Sequence, residues 1–343
     1  MATQTTACWS LFLDGMKKMI DKEIKYCIFD PTGNITALVE TEVPAAEQPA
    51  AASAVMEKHP EVEQVGFVSF ACAENAGTGA ADPILHENAD GDSESKVHIC
   101  LRMAGGEFCG NATMCAAALY IIRNRQRLTP QNAEGSVFES LKGNTAAAKE
   151  GKKYDVNVRV SGASRPITVR LTENGENSFS AGVDMPPAIG IEERYFECSA
   201  KGLTVGDTLS IVHMEGIDHI IVDEYSPFYN LRSLRGEAEQ IIKQLCSELG
   251  SDCLGMMFMF EEKELVPLVY VPGADTIFWE NSCASGTTAA GIWLAVNKGA
   301  AVDVSFSEPA GSLRVQSDPK TGKTTLFGNA ILISESGVYF QFT

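Results

Sequence analysis

Two stretches of this chain are written in nearly the same words. "CGNATMCAAALY" begins at Cys109 and "CASGTTAAGIWL" begins at Cys283. Aligned on the cysteine, both place a threonine four residues on (Thr113, Thr287), small residues between, and an acidic residue just upstream (Glu107, Glu280). The segments that follow, Ala112 to Arg125 and Ala284 to Val296, are Ala-rich and apolar nearly all round. A helix of that kind is enclosed, because no polar face is left to meet water. The pattern therefore predicts a duplicated chain in which each half wraps a sheet around one buried helix, with a cysteine at each helix entrance.

The rest of the sequence supplies the strands. "IKYCIFDPTGNITALVE" (Ile24 to Glu40) reads as a hairpin broken by a Pro-Thr-Gly-Asn turn. Ala45 to Lys58 suits a helix, while "QVGFVSFA" (Gln64 to Ala71) and "HICLRMA" (His98 to Ala104) suit strands. Glu74 to Lys96 is Gly-, Asp-, Glu- and Ser-rich and reads as an exposed acidic loop. Beyond a polar insertion near 129–154, short alternating strands resume, and "SELGSDCLGMMFMF", "LVPLVYVPG" and "TIFWENSC" continue a mostly antiparallel sheet. The expected organisation is an N-terminal helical extension over 1–23, a first domain over 24–153 to which a strand near 335–343 returns, and a second domain over 154–334.

With 343 residues and 45% apolar content the chain can bury two cores. Its net charge of −18 repels phosphate backbones and anionic lipid, which argues against nucleic-acid and membrane partners. The apolar N-terminal patch is interrupted by Asp14 and lacks the order of a signal peptide. Ten cysteines without a Cys-x-x-Cys pair fit a cytoplasmic chain with reduced thiols better than a disulfide framework or a zinc site.

Most of those cysteines read as small packed residues, and either Cys109 or Cys283 alone would read the same way. Their matched settings argue otherwise. A cysteine at a helix N-terminus lies beside unpaired amides and the positive end of the macrodipole, which favours thiolate. The amides of Gly110 and Asn111, and of Ala284 and Ser285, form cradles for a carboxylate. If both entrances face one cleft, a bound amino acid has a sulfur on each side of its α-carbon. Inversion needs one base and one acid on opposite faces. Amide donors can stabilise the developing ene-diolate, each by about 2.7–4 kcal/mol when placed as in an oxyanion hole. A cysteine-histidine hydrolase is less favoured, since only His213 and His219 sit in strand-end settings.

At these residues the chain resembles the diaminopimelate epimerase superfamily of cofactor-independent amino-acid racemases and epimerases. "CGNATMC" is similar to its first Cys-Gly-Asn-Gly-x-x-Cys signature and "SCASGTTA" to its second, Cys-Gly-Thr-Gly. "DPTGNITALVE", "SAGVDMPPA" and "GIDHIIVDE" carry further likeness, from about Ile24 onward. "GGEFCGNAT" also resembles the phenazine-biosynthesis isomerase branch, which lacks the paired cysteines. The resemblance implies an α+β fold of two pseudo-symmetric domains, each a barrel-like sheet around a central helix. It implies Cys109 and Cys283 as the acid/base pair, with Gly110, Asn111, Ala284 and Ser285 on the substrate's α-carboxylate or α-amine and Asn34 shaping the pocket.

Departures from the family bear on the substrate. Ile217 stands where diaminopimelate epimerases carry an asparagine, and "VPGAD" (Val271 to Asp275) stands near their Glu-Arg pair, leaving no arginine for a distal carboxylate. "RMAGGEFCGNAT" with "FWENSC" is most similar to the histidine-racemase branch, which makes histidine the leading substrate. Glu74 and His219 are candidates for holding its side chain, as are Glu280 and Asp218. No cofactor and no metal are expected, and a homodimer is the expected assembly. The competing readings are a diaminopimelate epimerase and an amino-acid-binding protein that performs no chemistry.

Overall fold

The computed structural model describes residues 20–70, 97–125 and 151–342. Residues 1–19 of the expected N-terminal helical extension, the acidic loop with Glu74 and most of the polar insertion lie outside the described residues, whereas Ile20 to Glu23, expected at the end of that extension, are strand, because they pair with Phe342 to Tyr339 of the C-terminal segment. β1 (Ile20–Asp30) and β2 (Thr36–Val39) form the expected hairpin, followed by a short 3-10 turn and helix α1 (Gln48–Lys58). β3 (Gln64–Ser69) and β4 (Ile99–Met103) lead to helix α2 (Gly110–Asn124). β5 (Lys153–Val160), β6 (Ile167–Gly175) and β7 (Ser178–Asp184) follow.

β8 (Gly190–Ala200), β9 (Leu203–Met214) and β10 (Ile217–Asp223) continue the chain. Next come helix α3 (Arg235–Leu249), β11 (Leu254–Phe260), β12 (Glu264–Val271) and β13 (Thr276–Trp279). Helix α4 (Ala284–Lys298), β14 (Val302–Glu308), β15 (Gly311–Asp318) and β16 (Lys323–Phe342) complete it.

All strands join one sheet, which is sheet-rich α+β in class. β1 to β7 pair in chain order, and β16 pairs with both β7 and β1, so these strands close a ring. Closure satisfies every edge and leaves a narrow interior. α2 fills it: Ala112, Met114 and Ala116 to Leu119 are fully buried, and the small side chains let strands approach from all sides. From β16 the sheet runs on through β15, β14, β12, β11, β10 and β9 to β8, curving around α4 without closing. Pairing is mostly antiparallel, with parallel contacts at β2–β3, β4–β5, β10–β11 and β12–β14.

Three further expectations meet differences. The expected boundary at 153/154 falls at the start of β5, yet β5, β6 and β7 pack on α2, so the first ring runs to Asp184. The window beginning "SELG" is not strand throughout: Ser247 to Leu249 end α3, an amphipathic helix capped by Gly250 in the left-handed region (φ 68°), and the strand starts only at Leu254. α3 covers the outer face of β8, β11 and β12 and builds a second core around Ile241, Ile242 and Leu245. Cys100 in β4 is disulfide-bonded, against the expectation of reduced thiols; spacing alone does not report pairing. The other described cysteines are free thiols.

Candidate active site

Both cysteines are N-caps with extended backbone, Cys109 at φ −135°, ψ 110° and Cys283 at φ −128°, ψ 105°. Each carbonyl accepts the first helical bond, from Thr113 at 3.0 Å and Thr287 at 2.8 Å. Each sulfur accepts the amide three residues on, Cys109 from Ala112 at 3.3 Å and Cys283 from Gly286 at 3.4 Å. The sulfurs thus take the place that a serine or aspartate oxygen takes at an ordinary helix start.

The two entrances abut. A Cβ added to Gly110 would lie 2.8 Å from the Ala284 Cβ, so the helix tips touch through the residues that follow each cysteine. Asn111 Nδ2 donates to the Ser282 carbonyl at 3.3 Å, and Asn34 Nδ2 donates to the same oxygen at 2.8 Å. Cys109 Sγ donates to Gln64 Oε1 at 2.6 Å, and Gln64 Nε2 donates to Glu280 Oε1 at 3.1 Å. Glu280 in turn bears on Cys283, so one polar chain joins the two sulfurs across the halves. The Ser285 hydroxyl lies 3.5 Å from Cys283 Sγ.

The electrostatics reverse one expectation. Burial pushes both thiols up from the ordinary cysteine value, and the nearby Glu280 charge adds to it at each. The Ala112 amide pulls Cys109 the other way without overcoming burial. At Cys109, desolvation and the nearby carboxylates outweigh the hydrogen bonds of the first-turn amides. Burial also raises Glu280 to about 7 and Glu308 to about 8.

Buried polar atoms without partners gather here. Asn34 Oδ1, Asn111 Oδ1, Glu107 Oε2, Glu280 Oε2 and the Ser282 hydroxyl have neither water access nor a hydrogen bond. Such atoms are costly unless something supplies their bonds, which marks a polar ligand site. Among the described residues no three His, Cys, Asp or Glu side chains gather as metal ligands.

The expected residues divide accordingly. Cys109, Gly110, Asn111, Asn34, Ala284, Ser285 and Cys283 come together, and Glu74 lies outside the described residues. His219 is fully buried in β10, packed so closely on Gly255 that an added Cβ there would strike its Nδ1. Neither ring nitrogen has a partner, and burial drops the ring to about 3, so it stays neutral. No hydrogen bond joins it to either sulfur. Asp218 pairs instead with His213, at 2.9 Å.

Gln64 and Glu308 went unnoticed in the sequence. Nothing local singles out Gln64, the first residue of a strand. Glu308 carried a signal: it shares the alternation phase of Phe306 in β14 and so falls on the buried face.

Comparison with known proteins gives a consistent picture. A family model described as the histidine racemase CntK N-terminal domain matches residues 88–336. A histidine racemase of Fusobacterium nucleatum is 27% identical over 289 residues, 82% of this chain and 84% of that protein. A histidine racemase of Staphylococcus aureus is 24% identical over 301 residues, 86% of this chain and 88% of that protein. Among solved structures, a hydroxyproline epimerase from Agrobacterium vitis superposes with TM-score 0.55 at 10% identity, over 94% of both chains. A probable proline racemase from Agrobacterium radiobacter does so with TM-score 0.53 at 11% identity, over 92% of both. Those two show a shared fold. Among the described residues no helix is long and apolar enough to cross a membrane.

Proposed function

Because this chain belongs to the histidine racemase CntK N-terminal domain family, and is therefore an isomerase of the racemase kind, we propose that it inverts the α-carbon of histidine, with Cys109 and Cys283 as a thiolate and thiol pair. The observation that carries this reading is the abutment of two cysteine-capped helix tips, ringed by buried acceptors that lack donors.

The substrate carboxylate sits at the first-turn amides of α2 and α4, which have no intrahelical acceptor. Its α-ammonium meets Glu280 and the free carbonyl oxygens of Asn34 and Asn111. That cation offsets the negative charge that raises both thiols, so loading the site lowers them. One sulfur, as thiolate, takes the α-proton: the C–H bond breaks and an S–H bond forms. The other thiol delivers its proton to the opposite face: its S–H bond breaks and a new C–H bond forms. Amides at the carboxylate hold the ene-diolate between the two events. The sulfurs have then exchanged protonation states, and the reverse enantiomer is the next fitting substrate. The pair titrates as a unit.

We also read the fold as diaminopimelate epimerase-like and place the boundary between halves in the 185–189 connection, with β16 belonging to both. A chiral assay of L-histidine under reducing conditions tests the function: D-histidine accumulates to an equal mixture. An enzyme that leaves L-histidine intact but inverts another amino acid overturns the substrate, and one that binds without inverting overturns the chemistry.

A further inference from the structure

Glu107 stands two residues before Cys109, between β4 and α2, and the reading above gives it no role. Its backbone is pinned: its carbonyl accepts the Ser161 hydroxyl at 2.9 Å, and a Cβ on Gly162 would lie 2.8 Å from its carbonyl carbon. Its carboxylate lies against the bare Cα of Gly105, where an added Cβ would strike Oε2 and come within 3.6 Å of Val271 Cγ1 at the end of β12. The Glu107 carboxylate and the end of β12 thus flank the same glycine at the seam between the halves. Its charge is felt by Cys109, by Cys253 just before β11, and by Glu280. Oε2 has no water and no partner.

Glu280 has the same deficit. It is 6% exposed, its Oε1 takes the Gln64 amide, and its Oε2 takes nothing. Two carboxylates on either side of the cysteine seam repel an anionic side chain, and each keeps one shielded oxygen, Oε2, that lacks a donor. Histidine held by its α-carboxylate offers two such groups, the ammonium and the ring.

Resting on the histidine reading, we propose that the two carboxylates divide these groups: Glu280, which bears on both sulfurs, takes the α-ammonium, and Glu107 takes the imidazole N–H and so selects the side chain. The chemistry is matched. Burial holds the Glu107 carboxyl above the usual carboxylate range, partly offset by the backbone amides of Glu107 and Gly105 and then by Arg102, whose Nε donates to Gln48 Oε1. The same charge excludes a distal carboxylate, which gives the missing arginine of the "VPGAD" segment its physical complement.

The test compares wild type, Glu107→Gln and Glu280→Gln with L-histidine as substrate and β-(2-thienyl)-L-alanine, a five-membered ring without N–H, as competitive inhibitor. Glu107→Gln is expected to raise the histidine KM about tenfold or more with kcat within about threefold, because a ring contact binds ground and transition states alike. Its thienylalanine Ki stays within about twofold, since that ring never used the carboxylate. Glu280→Gln lowers kcat for histidine and weakens both ligands. Glu107→Asp, which keeps the charge at shorter reach, gives an intermediate KM, and unchanged circular dichroism excludes misfolding. Equal loss of both ligands in Glu107→Gln, or an unchanged histidine KM, overturns the assignment while leaving the racemase reading intact. A wild-type protein inert toward histidine overturns that reading first, and the ring assignment with it.

Discussion

The two helix entrances share a backbone and differ in their charges. At each, an extended cysteine caps a buried helix and accepts the amide three residues on. At Cys109 the direct hydrogen-bond partner is neutral: Gln64 Oε1 accepts from the thiol, and the Thr113 hydroxyl donates to the Cys109 carbonyl at 2.7 Å. Around Cys283 a carboxylate intervenes. Glu308 accepts the Cys283 amide at 2.6 Å and the Thr287 hydroxyl, so the matched threonine is turned outward to a buried acid. Duplication has preserved where the sulfurs stand and left free how each is tuned. A racemase needs the first property for symmetry about its stereocentre. The second lets kcat and KM of the two directions each vary differently with pH while the ratio of their kcat/KM values stays fixed by equilibrium.

The sharpest way to break the comparison is to remove one sulfur at a time. Cys109→Ser and Cys283→Ser are each expected to lower racemisation about 10²–10⁴-fold in a folded protein, read by chiral assay with circular dichroism as control. One variant keeping full rate would make the entrances unequal in kind. Gly110→Ala comes next. Its new methyl meets Ala284 at 2.8 Å and wedges the tips apart, which should cost on the order of 10²-fold in kcat if the gap opens by about 1 Å. Ala284→Gly, which removes the facing methyl, should change kcat only a few-fold.

Glu308 sharpens the comparison through pH. Glu280 at about 7 and Glu308 at about 8 lie above their unfolded values, so between about pH 4.5 and 8 the folded protein holds protons that the unfolded chain releases. Their contribution to stability is present in full below that window and is lost as pH rises through it. Melting temperatures should fall from pH 5 to 8.5, and Glu308→Gln should flatten the fall; an unchanged slope would remove Glu308 from the account. The smallest effect is far from the cleft, where Arg123 near the end of α2 pairs with Glu40 at 2.6 Å and Glu335 at 2.8 Å. At the end of α4 a single pair, Lys298 with Glu262, stands in the corresponding place, just before Gly299 in the left-handed region. Arg123→Ala should cost roughly 0–1 kcal/mol by denaturant melt and leave kcat alone.

What was legible in the sequence follows the same division. The buried helices, their cysteine caps and the hairpin at Ile24 could be read because each depends on local pattern: small apolar residues on every face, or alternation around a turn. The return of a strand near 335–343 to the first half was expected and β16 makes it on β1, but its second pairing, with β7, which closes the ring, spans most of the chain and leaves no local pattern. For the same reason the first half was cut short at 153, before the strands that complete it. α3 was missed because its apolar stripe (Ala238, Ile241, Ile242, Leu245) is narrow within a charged segment. At the site, groups on the helices were found and those reaching in from strands, Gln64 and Glu308, were not. The expectation of a thiolate rests on the local helix start, whereas the burial that raises both thiols comes from the assembled halves.

The central claim is that one α-carbon lies between two sulfurs, and the isotope content of the first product tests it most directly. L-histidine carrying protium at its α-carbon is incubated in deuterium oxide and sampled early in conversion, before the product returns. The account predicts D-histidine with one solvent deuterium at that carbon, while the remaining L-histidine is still protiated. D-histidine that keeps the original protium, or deuterium entering the L enantiomer at the same early stage, would mean a single group serves both faces and would contradict it.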